Sequence, residues 1–263
     1  MISSLSNSQI KNIIQLQKKG RERKEQGVFI CEGIKMFEEA RAFRDGRIIK
    51  AYISEDFYEQ QRQAGKNYDD LPYEIVSEQI FKEISETMTP QGILAIVKQP
   101  EHSISDMFQG EEARLLLLED IRDPGNLGTM VRTAEGAGFT GIILSKGSVD
   151  MYNPKVIRST MGAIFRVPFI YVDNFLETLS ELKEQHVNIY AAHLEGACDY
   201  DRVSFDKKTA VLIGNEANGL SDQSAEIATR CIKIPMEGNV ESLNAGIAAA
   251  ILMYEVYRQK RSK

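Results

Sequence analysis

The chain keeps two rhythms of apolar and polar residues. Ile10, Ile13, Ile14 and Leu16 recur at helical spacing and predict an amphipathic first helix. After it, "VFICEG" reads as a strand, residues 34–44 as a helix, "IIKAYIS" and "YEIV" as strands, "SEQIFKEIS" as a helix and "GILAIV" as an apolar strand. The series closes near residue 98, where "KQPEHSISDMFQGEEAR" shows no periodicity and is rich in polar and chain-breaking residues, the mark of a boundary. "LLLL" (115–118) then restarts the pattern, apolar at every position as in a strand buried on both faces of a parallel sheet. "GIILS", "VPFIYV", "NIYAA", "AVLIG" and "CIKIP" follow with helical segments between them, which predicts an α/β domain with a mainly parallel sheet. "SLNAGIAAAILMYEVYRQKR" closes the chain as its strongest helical pattern, and its small residues Ala245, Gly246, Ala248, Ala249 and Ala250 let another backbone come close. The expected division is a small α/β domain over 1–98, a linker over 99–112 and a second domain over 113–263.

Composition narrows the class. With 263 residues, 43% hydrophobic and 27% charged, the chain reads as an ordinary soluble globular protein. No apolar run approaches the roughly 20 residues of a membrane helix, and the N-terminus lacks the apolar core of a signal peptide. Cys31, Cys198 and Cys231 are odd in number and widely spaced, which argues against a disulfide framework and for a reducing cytoplasm. His102, His186 and His193 form no metal-binding spacing, so no metal is expected. The net charge of −6 argues against a nucleic-acid partner, yet its distribution does not. Residues 1–50 carry 11 Lys/Arg against 6 Asp/Glu, whereas residues 51–112 carry 4 against 13. The densest basic stretch, "KKGRERK", holds Lys18, Lys19, Arg21, Arg23 and Lys24. By itself it fits a solvated helix end as well as a phosphate-contacting patch.

Two glycine-rich stretches compete for the chemistry. Gly136-Ala-Gly138-Phe-Thr-Gly141 has the spacing of a dinucleotide-binding loop, which works only where it leaves a strand and opens a helix. Here it follows the helical "TMVRTAEGA" and enters the strand "GIILS", so it reads as a helix C-cap and turn. The upstream Asp123-Pro124-Gly125-Asn126-Leu127-Gly128 has the required order: a strand precedes it, and a helix is expected from near Thr129, with Arg132 one turn in. Such a turn suits an anion. Two further strand ends carry similar turns: Gly214-Asn215-Glu216-Ala217-Asn218-Gly219-Leu220, and Ser242-Leu243-Asn244, where Ser242 is the N-cap candidate. Three such turns at strand ends in one sheet make a candidate site.

The stretches "DPGNLGTMVRTAEGAGF", "LIGNEANGLS" and "IPMEGNVESLNAGIAAA", in that order, resemble the three motifs of SpoU-type RNA ribose methyltransferases of the SPOUT superfamily. "NPKVIRSTMGAIFRVP" and "IYAAHLEGACDY" also look like family segments, so the resemblance spans residues 113–258; residues 1–98, with "KGRERKEQGVFICEG", resemble the RNA-binding domain often attached in front. Ala217 departs from the pattern, where glycine is common. The resemblance implies a deep trefoil knot, S-adenosylmethionine as cofactor with no metal, and a homodimer. It implies that Gly214, Ile234, Met236 and Leu243 line the cofactor pocket, and that Asn126, Arg132, Glu216, Ser242 and Asn244 surround the reacting ribose, with Asn126 orienting the Arg132 guanidinium. Lys18, Lys19, Arg21, Arg23 and Lys24 are the expected RNA contacts. Ribosomal RNA is the expected substrate and transfer RNA the runner-up; a base methyltransferase and a catalytically silent RNA-binding factor are the competing classes.

Overall fold

The computed structural model describes residues 1–43, 47–68, 70–194 and 198–262. Residue 44, the expected end of the second helix, and residues 195–197 of the "HLEGACD" segment lie outside the described residues. The chain separates into two compact units, one of residues 1–101 and 150–165, the other of residues 102–149 and 166–263.

The first unit starts with α1 (Ser8–Lys18) and α2 (Gly20–Gln26), followed by β1 (Val28–Glu32), α3 (Ile34–Ala42), β2 (Ile48–Ser54), α4 (Glu55–Gln63), β3 (Tyr73–Val76), α5 (Glu78–Ile84) and β4 (Ile93–Lys98). The Asn7 side chain accepts from Gln9 N–H at 2.8 Å and starts α1. Its apolar positions Ile10, Ile13 and Leu16 are fully buried against Val28, Ile30, Leu94 and Ile96. The sheet order is β1-β4-β2-β3, antiparallel except for the β2–β3 pair.

The rest of the chain supplies β5 (Ala113–Leu118), α6 (Pro124–Gly136), β6 (Gly141–Ser145), α7 (Pro154–Thr160, a part of the first unit), β7 (Phe169–Val172), α8 (Phe175–Glu184), β8 (Asn188–Ala192), β9 (Cys198–Asp199), β10 (Lys208–Ile213), α9 (Asp222–Ile227), β11 (Arg230–Lys233) and α10 (Ala245–Arg261). Seven strands form one parallel sheet in the order β7-β6-β5-β10-β8-β11-β9. Every residue of β5 is buried, as the all-apolar run predicts for a central strand covered on both faces. The short edge strand β9 has no counterpart in the apolar pattern: two residues are too few to show alternation.

Two features differ from the sequence reading. Within the stretch read as a linker, Met107 is fully buried in the second unit's core, where it fills the space a side chain at Gly141 would need. Ile104, Met107 and Phe108 are the large apolar residues of this polar run, too few to set a period that would reveal this. Residues 150–165 cluster with the first unit, where Tyr152 and Phe165 pack on Phe29 with ring centroids 4.8 and 6.1 Å away. Contacts made across more than a hundred residues leave no local trace in a sequence.

Candidate functional site

Strand register creates the site. Leu118 stands opposite Ile213 and Leu212 opposite Ala191, so β5, β10 and β8 deliver their following loops to one edge of the sheet, and Ile232 of β11 pairs with Ala192 beside them. Ligands gather beyond the carboxyl ends of strands in such sheets.

The loop after β5 is more helical than expected. The stretch read as a turn before Thr129 is the first turn of α6: Asp123 is its N-cap, accepting from Asn126 N–H at 2.7 Å, and Pro124 occupies N1. Both choices suit a helix start, the cap alone contributing about 1 kcal/mol. Gly136-Ala-Gly138 lies at the other end of that helix, with Gly138 at φ 70° leading into β6, as the C-cap reading requires. At α10 the cap is Asn244 and not Ser242: the Asn244 Oδ1 accepts from Gly246 N–H and Ile247 N–H at 2.9 and 3.2 Å. A cap must immediately precede the helix, and α10 begins at Ala245.

The loop after β10 doubles back on itself. Asn215 and Gly219 exchange backbone hydrogen bonds of 2.9 Å in each direction, and Gly214 faces the backbone of Gly219 and Leu220 so closely that a Cβ would collide with it. The Asn215 side chain donates to Asp120 O at 2.7 Å and accepts from Ala217 N–H and Asn218 N–H. Glu119, at the end of β5, holds the loop's exit: it accepts from Ser221 N–H (2.9 Å), Ser221 Oγ (2.7 Å) and Ser224 Oγ (2.8 Å). Glu119 is a positioning residue that the sequence reading did not single out, and Asn215, read there only as part of a turn, is a second one; both act through partners that no local spacing reveals.

Three of the expected site residues form one hydrogen-bonded chain. Glu216 accepts from the backbone N–H of Arg122 and of Asp123 and from Asn126 Nδ2, each at 3.0 Å. Asn126 Oδ1 accepts from Asn244 Nδ2 at 2.9 Å. Partial burial pushes the Glu216 carboxyl up, but the bonds from Arg122, Asn126 and Asp123 outweigh it and hold the group below the ordinary glutamate range. It is ionised at neutral pH and serves as an anchor for the 122–126 segment.

Beside this chain lies a cleft of about 360 Å³, lined by Gly214, Ile234, Met236, Ser242 and Leu243 among others, with Glu216 and Asn215 shared with an open depression that reaches Asn126 and Asn244. The expected pocket residues therefore share one wall-to-wall space. Arg132 does not join them: it is exposed on α6, and Asn126, whose amide is committed to Glu216 and Asn244, does not orient it. Arg132 shares its helix face with Gly136, one turn on, where a Cβ would stand 3.3 Å from the Tyr254 hydroxyl of α10.

In the first unit Lys18, Lys19, Arg21 and Lys24 are exposed. Arg23 corrects the expectation for that stretch. It is 4% exposed; its Nη1 donates to Leu16 O (2.6 Å) and Gln17 O (3.0 Å), and its Nε and Nη2 donate to Asp150 Oδ2 at 2.9 and 2.5 Å. With four of its five N–H donors spent on the end of α1 and on an aspartate, this buried guanidinium is not placed to meet a phosphate. Among the described residues no group of three or more His, Cys, Asp or Glu is arranged to hold a metal ion, and no helix is long and apolar enough to cross a membrane.

A seven-stranded parallel sheet with a cleft and an amide-rich rim at its strand ends defines an α/β protein built to hold a small ligand beside a reacting partner. The chain belongs to the SpoU rRNA Methylase family, whose model matches residues 113–254, and the MRM3-like substrate binding domain matches residues 7–95. The 23S rRNA (guanosine(2553)-2'-O)-methyltransferase RlmP of Bacillus subtilis (strain 168) is 32% identical to it over 97% of this chain and 98% of its own. An AdoMet-bound rRNA methyltransferase from Sinorhizobium meliloti superposes with a TM-score of 0.86 at 30% identity, covering 98% of this chain and 97% of that one. The SpoU methyltransferase AviRb from Streptomyces viridochromogenes, at 24% identity, shares the fold with a TM-score of 0.87 over 97% of this chain and 99% of its own.

Proposed function

We propose that the protein transfers a methyl group from S-adenosylmethionine to a ribose 2′-hydroxyl of ribosomal RNA, acts as a homodimer and resides in the cytoplasm. The observation that carries this reading is the Glu216–Asn126–Asn244 chain on the rim of the cleft, which ties all three strand-end loops to one another. A cleft of about 360 Å³ falls within the range of small-molecule sites. Gly214 fits such a ligand for the reason it fits its own loop: a side chain there has no room, and the backbone stays open to the cleft. Gly214, Ile234, Met236 and Leu243 would hold the cofactor, mixing apolar contact with backbone polar groups.

The bound sulfonium supplies an electrophilic methyl carbon, so the protein needs to provide alignment and a route for the hydroxyl proton. Alignment alone is worth up to about 7–11 kcal/mol. Asn126 and Asn244, fixed by their mutual bond, each have one further amide N–H to direct toward the ribose, and Ser242 offers a hydroxyl beside them. Glu216 keeps Asn126 and the 122–123 backbone in place. Arg132 clamps an RNA phosphate next to the nucleophile through its fork of N–H donors, and the hydroxyl proton leaves to phosphate or water. The homodimer reading is supported by the exposed apolar stripe of Ile247 (52% exposed) and Tyr254 (48%) on α10, with half-buried Ile251 between them. That stripe borders the face of α6 that carries Arg132. A deep trefoil knot is part of the same reading and rests on membership of the SpoU rRNA Methylase family. Lys18, Lys19, Arg21 and Lys24 provide phosphate contacts for the acidic chain.

The test is transfer of labelled methyl from S-adenosylmethionine to ribosomal RNA by the purified protein, followed by digestion to nucleosides. Label in a 2′-O-methylated nucleoside is expected. Label on a base, label accepted only by transfer RNA, or no transfer at all would each overturn the reading in favour of one of the competing classes.

A further inference from the structure

Glu32, at the end of β1, is a buried carboxylate, 9% exposed, that no step above uses. It accepts from the Ser85 hydroxyl, from Thr87 Oγ1 at 3.0 Å and from Glu86 N–H at 3.0 Å. Gln91 Oε1 closes the other end of the same loop by accepting from Ile34 N–H at 2.8 Å. A loop held at both ends in this way presents Met88 at its tip, fully exposed. Met88 is therefore offered to solvent from a loop of fixed shape.

Two neighbouring elements complete the surface. Arg158 of α7 approaches the Glu86 carboxylate at 3.9 Å, and Gly162 faces the Glu39 side chain of α3. Between them Met161, 37% exposed, sits in the left-handed region at φ 51°. That conformation ends α7 as its C-cap, a place where glycine or asparagine is the inexpensive choice. The start of α3 adds Ile34, 41% exposed, and exposed Lys35, and α7 adds exposed Lys155. Met88, Met161 and Ile34 thus come from three elements joined by the Gln91–Ile34, Arg158–Glu86 and Gly162–Glu39 contacts, and the same elements carry the cations Lys35, Lys155 and Arg158 together with the anions Glu38, Glu39 and Glu86.

We propose that this surface of the first unit grips unpaired nucleotides of the RNA substrate, with Met88, Met161 and Ile34 against exposed base faces and the cations on the adjoining phosphates. The proposal rests on the ribosomal RNA reading and adds the substrate class: a single-stranded segment. Paired bases are stacked and offer no face, whereas splayed bases present aromatic rings to apolar and sulfur-bearing side chains. The carboxylate-clamped loop keeps the platform in shape before RNA arrives, which lowers the ordering cost of binding.

The experiment uses the full-length protein with a fluorescent oligouridine strand and with the same strand annealed to oligoadenine. Met88→Ala combined with Met161→Gly removes two of the apolar side chains while relieving the backbone strain at 161, so folding is not at risk. Single-strand affinity should fall at least about threefold, the effect of losing two sulfur–ring contacts, while duplex affinity and S-adenosylmethionine binding stay at the wild-type level. An unchanged single-strand affinity, or an equal loss for duplex, overturns the proposal even if the wild type methylates ribosomal RNA. A wild type that neither binds RNA nor transfers methyl defeats the functional reading itself.

Discussion

Glu32 and Glu216 each hold a loop by accepting backbone N–H and side-chain donors, and they do so for opposite purposes. Glu32 is sealed: two hydroxyls and one N–H close over it, and the loop it fixes turns its working side outward. Glu216 is exposed, its donors include the Asn126 amide, and the segment it fixes is itself the site. The sealed carboxylate is a structural clamp acting at a distance, so its removal should register as lost stability. In the proposed function the open one belongs to the reacting assembly, so its removal should register as lost turnover.

The largest expected effect lies outside both clamps. Arg132→Ala should abolish methyl transfer while S-adenosylmethionine affinity, read by calorimetry, stays within about twofold, because the cleft does not include Arg132. Lysine should rescue poorly, since a point charge does not reproduce a bidentate fork. Lost cofactor binding in a folded Arg132→Ala protein would remove the phosphate-clamp role.

The comparison itself is tested by a pair of variants. Glu216→Gln sets an amide against three donors and should lower kcat about 10- to 100-fold, by the 1–3 kcal/mol cost of an unmatched group, with little change in thermal midpoint. Glu32→Ala should do the reverse. It strands Ser85, Thr87 and the Glu86 N–H, and should destabilise the protein by about 3 kcal/mol with kcat per folded molecule and cofactor affinity nearly unchanged. If both variants lost turnover and stability in parallel, the distinction between sealed and open clamps would fall.

A smaller effect concerns charge in the first unit. Replacing Lys18, Lys19, Arg21 and Lys24 with alanine should weaken RNA binding and reduce the slope of log affinity against log salt by roughly 0.7–0.9 for each phosphate no longer neutralised. Arg23 is left intact because its loss would strip Asp150 and the end of α1 of their partner. Wild-type affinity and slope in the quadruple variant would return the stretch to an ordinary solvated helix end.

The smallest effect is in pH. Because the folded protein holds Glu216 below the ordinary value of 4.5, its contribution is fully present above that value and is lost as pH falls through the lowered one. Cofactor affinity followed by calorimetry should be flat from neutral pH down to about 4.5 and decline below it. Glu216→Gln should remove that decline, and a wild-type decline beginning near neutrality would assign it to another group.

What the sequence determined by itself was local or strongly periodic. The apolar run of β5, the strand–turn–helix order that separates Asp123–Gly128 from Gly136–Gly141, and the three motifs are legible because each depends on residues adjacent in the chain. Only the tertiary structure decided the assignments that depend on distant partners. Arg23 looks like its exposed neighbours until Asp150, 127 residues away, takes its guanidinium. Glu216 gives no sign that it anchors the 122–126 segment until Arg122, Asp123 and Asn126 arrive as donors from 90 or more residues away. Residues 150–165 read as part of the second half until Tyr152 and Phe165 are found on Phe29. Periodicity reports which face of an element is buried, but the partner of a buried or charged group is chosen by strand order and register, which no local pattern encodes.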